Sequence, residues 1–115
     1  VWNKYGKIID RVLQYPDPVT GEAFTENPTM VNRTDLPNVG NTVISLGERG
    51  VRFAVCEAAT RVISGMLARA TESDADAIYE ELVASLVPNA RFVPAGVLTV
   101  TRAQEYGYSL LTAGL

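Results

Sequence analysis

Cys56 is the residue of this sequence best suited to covalent chemistry, because it is the only cysteine in 115 residues. It follows the apolar run at residues 51–55 and precedes a segment with helical periodicity. A thiol at the carboxyl end of a buried strand, just before a helix, lies where α/β folds place reactive groups, and the helix dipole favours its thiolate form. Free cysteines are also among the most buried residues of proteins, so the alternative is a core position.

Several other kinds of chemistry are excluded by residue type. A single cysteine cannot form an intramolecular disulfide, and the chain has no histidine to act as a base or to ligate a metal. A hydrolase triad would need such a histidine, and the glycines form no phosphate-binding loop. We therefore expect neither a metal nor a bound cofactor.

The composition predicts one globular domain over residues 1–115, because 47% of the residues are hydrophobic and only 20% are charged. The formal net charge is −3. We interpret one group of acidic residues as a solvated helix face: Glu72, Asp74, Asp76, Glu80 and Glu81. No basic surface for nucleic acid is expected. No apolar run approaches the ~18 residues that cross a bilayer, so no membrane span is expected either.

Apolar residues recur with helical spacing in five segments. The first helix is expected over about residues 2–15, ended by Pro16, and the others at residues 42–50, 57–70, 74–86 and 97–106. In the third, one apolar stripe is predicted to face the core: Ala59, Val62, Ile63, Met66, Leu67 and Ala70. Strands are expected at residues 51–55 and 91–93, with a further candidate at residues 108–111.

Residues 15–40 form a long segment with four prolines and little periodicity. Such loops are typically lids, interface segments or disordered. We expect an irregular arm that packs across another element or subunit, with Phe24, Met30 and Leu36 as apolar anchors.

Alternating strands and helices predict an α/β fold with parallel strands. In that fold the corner Pro94-Ala95-Gly96 would lie beside Cys56, because successive parallel strands end at the same edge of the sheet. Two or three strands are too few for such a sheet, and the strand at residues 51–55 is apolar enough to be central. Either another chain completes the sheet, or a first βαβ unit precedes Val1.

Three blocks of the sequence resemble the DsrE/DsrF-like family of sulfur-related proteins. They are GVRFAVC at residues 50–56, VPAGV at residues 93–97 and RAQEYGY at residues 102–108. WNKY at residues 2–5 and DPVTG at residues 17–21, followed by Asn27-Pro28, are similar to the longer, secreted-type branch, many of whose members begin with a twin-arginine leader.

The resemblance implies a three-layer α/β/α fold with a mainly parallel sheet, of which this chain would be the C-terminal part. It implies a homo-oligomer, commonly a trimer or hexamer, and a periplasmic or secreted location, with a cytoplasmic one as the alternative. Cys56 aligns with the cysteine that carries persulfide sulfur in the sulfurtransferase members.

Two functions follow as expectations. In the first, Cys56 accepts sulfane sulfur from a donor protein and passes it on, while the amides near Ala58 and Ala59, and Arg61, stabilise the anion. Glu57 would oppose the thiolate if its side chain pointed the same way. In the second, the protein is a non-enzymatic binding or assembly subunit in which Cys56 is buried and inert.

Overall fold

The protein has an α/β fold in which one small parallel sheet is flanked by helices. The computed structural model describes residues 1–112, except for the side chain of Leu13. In chain order the elements are α1 (Trp2–Leu13), α2 (Val43–Glu48), β1 (Phe53–Cys56), α3 (Glu57–Thr71), α4 (Ala75–Ala84), β2 (Ala90–Val93) and α5 (Gly96–Glu105). All five predicted helices are therefore confirmed, with ends within a few residues of those expected. Within the described range, no helix combines the length and the apolar character needed to cross a membrane.

The sheet consists of β1 and β2, which pair in parallel through the α3–α4 connection. Phe53 lies opposite Ala90, and Cys56 lies opposite Val93, so both strands end at the same edge. Among residues 1–112, β1 has no strand on its other side, and the central position predicted for it is not seen there. The three-layer arrangement with further strands stays a prediction.

The strand predicted at residues 108–111 is wrong. The amide of Tyr108 donates to the carbonyl of Ala103 at 3.1 Å and that of Gly107 donates to Gln104 at 3.0 Å, which is a Schellman closure of α5. Gly107 adopts the left-handed conformation that this closure requires, with φ of 92°. The apolar residues beyond it are exposed and have no neighbouring strand.

The main core lies between α1, α3 and α4. Its fully buried members are Tyr5, Leu67, Ala68 and Ile78, and the half-buried residues packed against them are Ile8, Ile9, Ala75 and Leu82. The hydroxyl of Tyr5 donates to Oε2 of Glu81 at 2.6 Å, so its polar end is satisfied although the ring is buried. Lys4 binds the other carboxylate oxygen of Glu81 at 2.7 Å, which joins α1 to α4.

The apolar stripe predicted for α3 matches the buried face only in part. Leu67 is buried as predicted and Met66 is half-buried, but Ala59, Val62, Ile63 and Ala70 are exposed. The buried residues of the helix are Thr60, Ser64, Leu67 and Ala68. Two of the buried residues are polar, but their hydroxyls donate to carbonyls four residues earlier: Thr60 to Cys56 at 2.9 Å and Ser64 to Thr60 at 2.8 Å. Hydroxyls satisfied within their own helix can be buried without leaving an unpaired donor.

Residues 15–40 form successive turns without a helix or strand. Phe24 and Leu36 are buried as predicted, but Met30 is 41% exposed and does not anchor the arm. The indole of Trp2 donates to the carbonyl of Phe24 at 3.2 Å, which ties the arm to α1. Tyr15 stacks on Phe24 with ring centroids 5.8 Å apart.

An unpredicted ion cluster closes the arm on itself. The guanidinium of Arg33 binds both carboxylate oxygens of Asp17, at 2.6 and 3.2 Å, and both of Asp35, at 3.1 and 2.5 Å. Fork-like contacts of this kind are the strongest arginine–carboxylate geometry. They hold the pKa of Asp17 down at about 2, chiefly through the Arg33 hydrogen bonds.

Candidate functional site

Cys56 occupies two structural positions at once. It is the last residue of β1 and the N-cap of α3, and its sulfur accepts a hydrogen bond from the amide of Ala59 at 3.4 Å. Serine, threonine and aspartate are the usual residues at this position, where a side-chain acceptor satisfies one of the free amides of the first turn. The sulfur therefore lies at the amino end of a helix of 15 residues, as the sequence predicts.

The corner formed by residues 94–96 lies beside the cysteine. Val93, which ends β2, is the partner of Cys56 in the sheet, and the chain then turns into α5 at Gly96. A Cβ atom placed on Gly96 would lie 3.8 Å from Cβ of Cys56. The sulfur is thus flanked by the starts of two helices, α3 and α5, and the predicted proximity of Cys56 to this corner is confirmed.

The pKa of the Cys56 thiol is lowered from its ordinary value by backbone amides. The amide of Ala59, which donates to the sulfur at 3.4 Å, has the largest effect, and the nearby backbone of Gly96 and then of Ala58 lowers the pKa further. Partial burial acts in the opposite direction because it disfavours the charged form. The pKa is therefore lowered by main-chain groups at the starts of α3 and α5, and among the described residues the amide of Ala59 is the one within hydrogen-bond distance of the sulfur.

Cys56 is half-buried, so it does not take the fully buried core position that is the alternative for a free cysteine. Among the side chains of the two helices that begin beside it, Val62 is 63% exposed and Leu98 is 66% exposed. Pro94, the first residue of the corner, is also exposed. The cysteine therefore lies near the surface of the protein.

Arg61 contacts side chains of α3 and α4. Its guanidinium contacts Glu57 at 3.5 Å and Asp76 at 3.9 Å, and it lies over the ring of Tyr79 at 3.9 Å from the centroid. It is not among the groups that lower the pKa of Cys56. Two carboxylates and an aromatic face hold the charge of Arg61 on the α3–α4 side, and the role predicted for it at the sulfur stays a prediction.

Glu57 is directed to the same cluster. Its carboxylate accepts from the hydroxyl of Tyr79 at 3.3 Å as well as binding Arg61, and it is not among the groups that shift the pKa of Cys56. The Glu57 carboxylate is therefore directed toward Arg61 and Tyr79. The spacing of Glu57 and Arg61, four residues apart on one helix, is the sequence signal that could have indicated their pairing.

The sequence predicted that amides of the first turn of α3 lie near the sulfur, and the structure shows this for Ala59. The sequence did not predict that the backbone of Gly96 lowers the pKa of the thiol, because its corner was expected only to lie beside the cysteine. Within residues 1–112, no group of three or more His, Cys, Asp or Glu side chains could hold a metal ion.

Comparisons of the chain with protein-family models, with curated proteins and with solved structures found no match. The resemblance to the DsrE/DsrF-like family accordingly stays a prediction from the three sequence blocks. The candidate site rests on its geometry.

Proposed function

We propose that Cys56 is a sulfur carrier, which accepts sulfane sulfur as a persulfide and passes it to a partner protein. The observation that carries the proposal is the hydrogen bond from the amide of Ala59 to the sulfur of a half-buried cysteine that caps α3 and lies beside the start of α5. Such donors favour an anionic sulfur in the same way as they favour phosphate or carboxylate at a helix start.

The transfer step is balanced without a redox partner. The thiolate of Cys56 attacks the outer sulfur of a donor persulfide, R–S–SH; the donor S–S bond breaks as the new S–S bond forms, and the donor leaves as R–S⁻. The proton of the donor's terminal sulfur stays on the Cys56 persulfide. A second thiolate, on the acceptor protein, then attacks that terminal sulfur, and Cys56 leaves as a thiolate. A lowered thiol pKa helps both the attack and the departure.

The first experiment is sulfur loading followed by intact mass. We expect the protein treated with a low-molecular-weight persulfide to gain ~32 Da per sulfur atom, and Cys56→Ser to gain nothing. Because Cys56 is the only cysteine, no other thiol can carry the adduct. The loaded protein should lose that mass when a reduced thiol is added. Rapid alkylation of Cys56 without any persulfide adduct would overturn the carrier function while leaving its reactivity intact.

A second candidate function, a non-enzymatic assembly or binding subunit, is favoured by exposed apolar side chains on α3, α5 and the segment after α5. They are Val62, Ile63, Val97, Leu98, Tyr106, Tyr108, Leu110 and Leu111. Large exposed apolar surface on a folded domain commonly marks an interface. We propose self-association through this surface, in the trimer or hexamer that the resemblance implies.

Light scattering after size exclusion tests the assembly. The substitution Val62→Glu should shift the protein to a smaller species, whereas Val19→Glu should not. The two valines are matched in exposure, at 63% and 64%, but Val19 lies in the arm. A monomer in the unmodified protein, or equal shifts for both variants, would contradict assembly through α3 and α5.

A periplasmic or secreted location belongs to the same proposal and rests on the family resemblance alone. Fractionation of the source cells, followed by detection of the protein in each fraction, is the direct test.

A further inference from the structure

A groove of about 530 Å³ lies over the β1–β2 sheet. Three of the residues that line it, Ala54, Arg91 and Val93, lie on the same face of the sheet as Cys56, because Ala54 pairs with Arg91 and Cys56 pairs with Val93. The groove therefore extends along the sheet as far as the residue that pairs with the cysteine. Its volume lies within the range of about 300–1,000 Å³ that is usual for small-molecule sites.

The charge of this groove is positive. Arg91 of β2 and Arg52, which directly precedes β1, both line it, and both are exposed. Neither arginine forms an ion pair within residues 1–112. No aspartate or glutamate is among the described residues that line the groove. On a protein with a formal net charge of −3, this face attracts anions, and guanidinium groups bind carboxylates with particularly good geometry.

Arg91 is one side-chain position away from Cys56 on the shared face. Its partner in the sheet, Ala54, precedes the cysteine by two residues. A parallel strand rises about 3.3 Å per residue and neighbouring strands are about 4.8 Å apart, so the Cα atoms of Arg91 and Cys56 are separated by about 8 Å. A small anion held by Arg91 is therefore also close to the thiol.

We propose that the groove binds the anionic part of a low-molecular-weight sulfur donor, a persulfide R–S–SH in which R carries a carboxylate. This inference rests on the proposed sulfur transfer and names the class of donor for the same thiol. Arg91 binds the carboxylate, and Arg52 adds a second positive charge. The thiolate of Cys56 attacks the terminal sulfur, the S–S bond of the donor breaks as the new S–S bond forms, and R leaves as a thiolate that keeps its carboxylate.

Two persulfides that differ in charge test the inference. The persulfide of 3-mercaptopropionate carries a carboxylate, and that of 3-mercaptopropionamide is its neutral counterpart. The rate of loading, followed by intact mass, is divided by the rate for the same protein unfolded in urea, so that the intrinsic reactivity of each reagent cancels. At low ionic strength we expect this normalised rate to be at least about tenfold higher for the carboxylate. The preference should decrease as NaCl is raised to about 1 M.

Two arginine variants show whether the groove provides the preference. Arg91→Gln should reduce the ratio of the two normalised rates severalfold. Arg69→Gln makes the same change in charge at an exposed residue of the last turn of α3, about 20 Å along the helix from Cys56, and should retain the ratio. Circular dichroism verifies that each variant is folded. If Arg91→Gln does not fold, Arg52→Gln, which lies outside the strand, replaces it with the same expected reduction.

Failure of this inference and failure of the sulfur transfer give different results. If neither persulfide adds ~32 Da to the protein, Cys56 is not a sulfur carrier and both proposals fail. If both persulfides load at equal normalised rates, Cys56 stays a carrier but the groove does not select the donor. Equal effects of Arg91→Gln and Arg69→Gln on the ratio would likewise overturn the role of the groove.

Discussion

At the scale of single residues, the environment of Cys56 depends on main-chain groups rather than on charged side chains. The amides of Ala59 and Gly96 come from two different helices and both act on one sulfur. A main-chain donor can be removed without altering the surrounding side chains only by proline, and only where proline fits the backbone. Gly96 is such a position, since it is the first residue of α5.

We predict that Gly96→Pro raises the pKa of Cys56 and slows its alkylation at neutral pH several-fold, because one donor to the thiolate is lost. The preceding residue, Ala95, has φ of −149° and ψ of 129°, which is compatible with a following proline. The rate of reaction with iodoacetamide, measured as a function of pH, gives the pKa in each variant.

Gly96→Ala is the matched control for this prediction. It retains the N–H group, and its methyl group would be in ordinary contact with Cβ of Cys56 at 3.8 Å. The alanine variant should therefore show the pKa of the unmodified protein. If the proline and alanine variants react alike, the amide of Gly96 has no part in stabilising the thiolate.

The location of this thiol could be predicted, but the contacts that Arg61 makes with α4 could not. The edge shared by Cys56 and the Gly96 corner follows from parallel strand pairing, which the chain order already implies. Arg61 has a long, flexible side chain, so its contacts depend on what α4 brings close: here Asp76 and the ring of Tyr79. That juxtaposition is tertiary, and no local spacing encodes it.

At the scale of helices and strands, the chain order was predictable and the buried face of α3 was not. Helix starts and ends follow local signals, such as the Thr42 capping box at α2 and the Asp74 cap at α4. The side of α3 that is buried depends on its neighbours α1 and α4, and small residues there permit close approach. Hydrophobicity alone favoured Val62 and Ile63 over Thr60 and Ser64, because it ignores hydroxyls that bond within their own helix.

Glycines in two helices offer a test of how α1 holds the arm. A methyl group on Gly6 would lie 2.7 Å from Nε1 of Trp2, whereas one on Gly65 would meet nothing within 4 Å. We predict that Gly65→Ala stabilises the protein by about 0.5–1 kcal/mol, the usual gain in a helix interior. The change in unfolding free energy caused by Gly6→Ala should be at least about 1 kcal/mol less favourable than the change caused by Gly65→Ala. The reason is that the indole of Trp2 must move and lose its hydrogen bond to the carbonyl of Phe24.

Chemical unfolding and tryptophan emission check this pair together. The emission of Trp2 should shift toward the red in Gly6→Ala, as the ring leaves the arm, and stay unchanged in Gly65→Ala. Equal gains in unfolding free energy and unchanged emission in both variants would mean that the packing of Trp2 over Gly6 does not hold the arm.

At the scale of the whole molecule, the arm is joined to the helices by a few specific contacts and closed by the Arg33 cluster. Its apolar anchors Phe24 and Leu36 were predictable from residue type, but the ion cluster was not, because Asp17 and Arg33 are 16 residues apart in an aperiodic segment. A cavity of about 410 Å³ between α1, α2 and the arm was also not predictable, since its walls come from three separate segments that only the folded arm brings together.

The depressed pKa of Asp17 predicts that acid weakens the arm. Folding lowers the pKa of Asp17 from 3.8 to about 2. The stabilisation by its carboxylate is therefore fully present at a pH above the pKa in the unfolded chain, and it is lost as the pH falls through the pKa in the folded protein. We expect the unmodified protein to be more stable than Asp17→Asn above about pH 5, and the difference to disappear toward pH 2. Urea unfolding at a series of pH values measures it. A difference that does not change with pH would exclude the ionised Asp17 as the stabilising group.

Because the sulfur of Cys56 caps α3, the stability of the fold and the ionisation of the thiol depend on each other. Because the fold lowers the pKa of this thiol from 9.0, loss of the proton must in turn stabilise the fold, by thermodynamic linkage. That gain is complete above the unfolded pKa and is lost as the pH falls through the folded pKa. The unfolding free energy of the unmodified protein should therefore rise with pH relative to Cys56→Ser, which has no thiolate to form.

The sulfur that would react is also the group that caps the first turn of α3, so a chemical change at the sulfur must affect that turn. Alkylation or oxidation of Cys56 should alter how often the start of α3 opens. Hydrogen exchange at the amide of Ala59 would measure this opening.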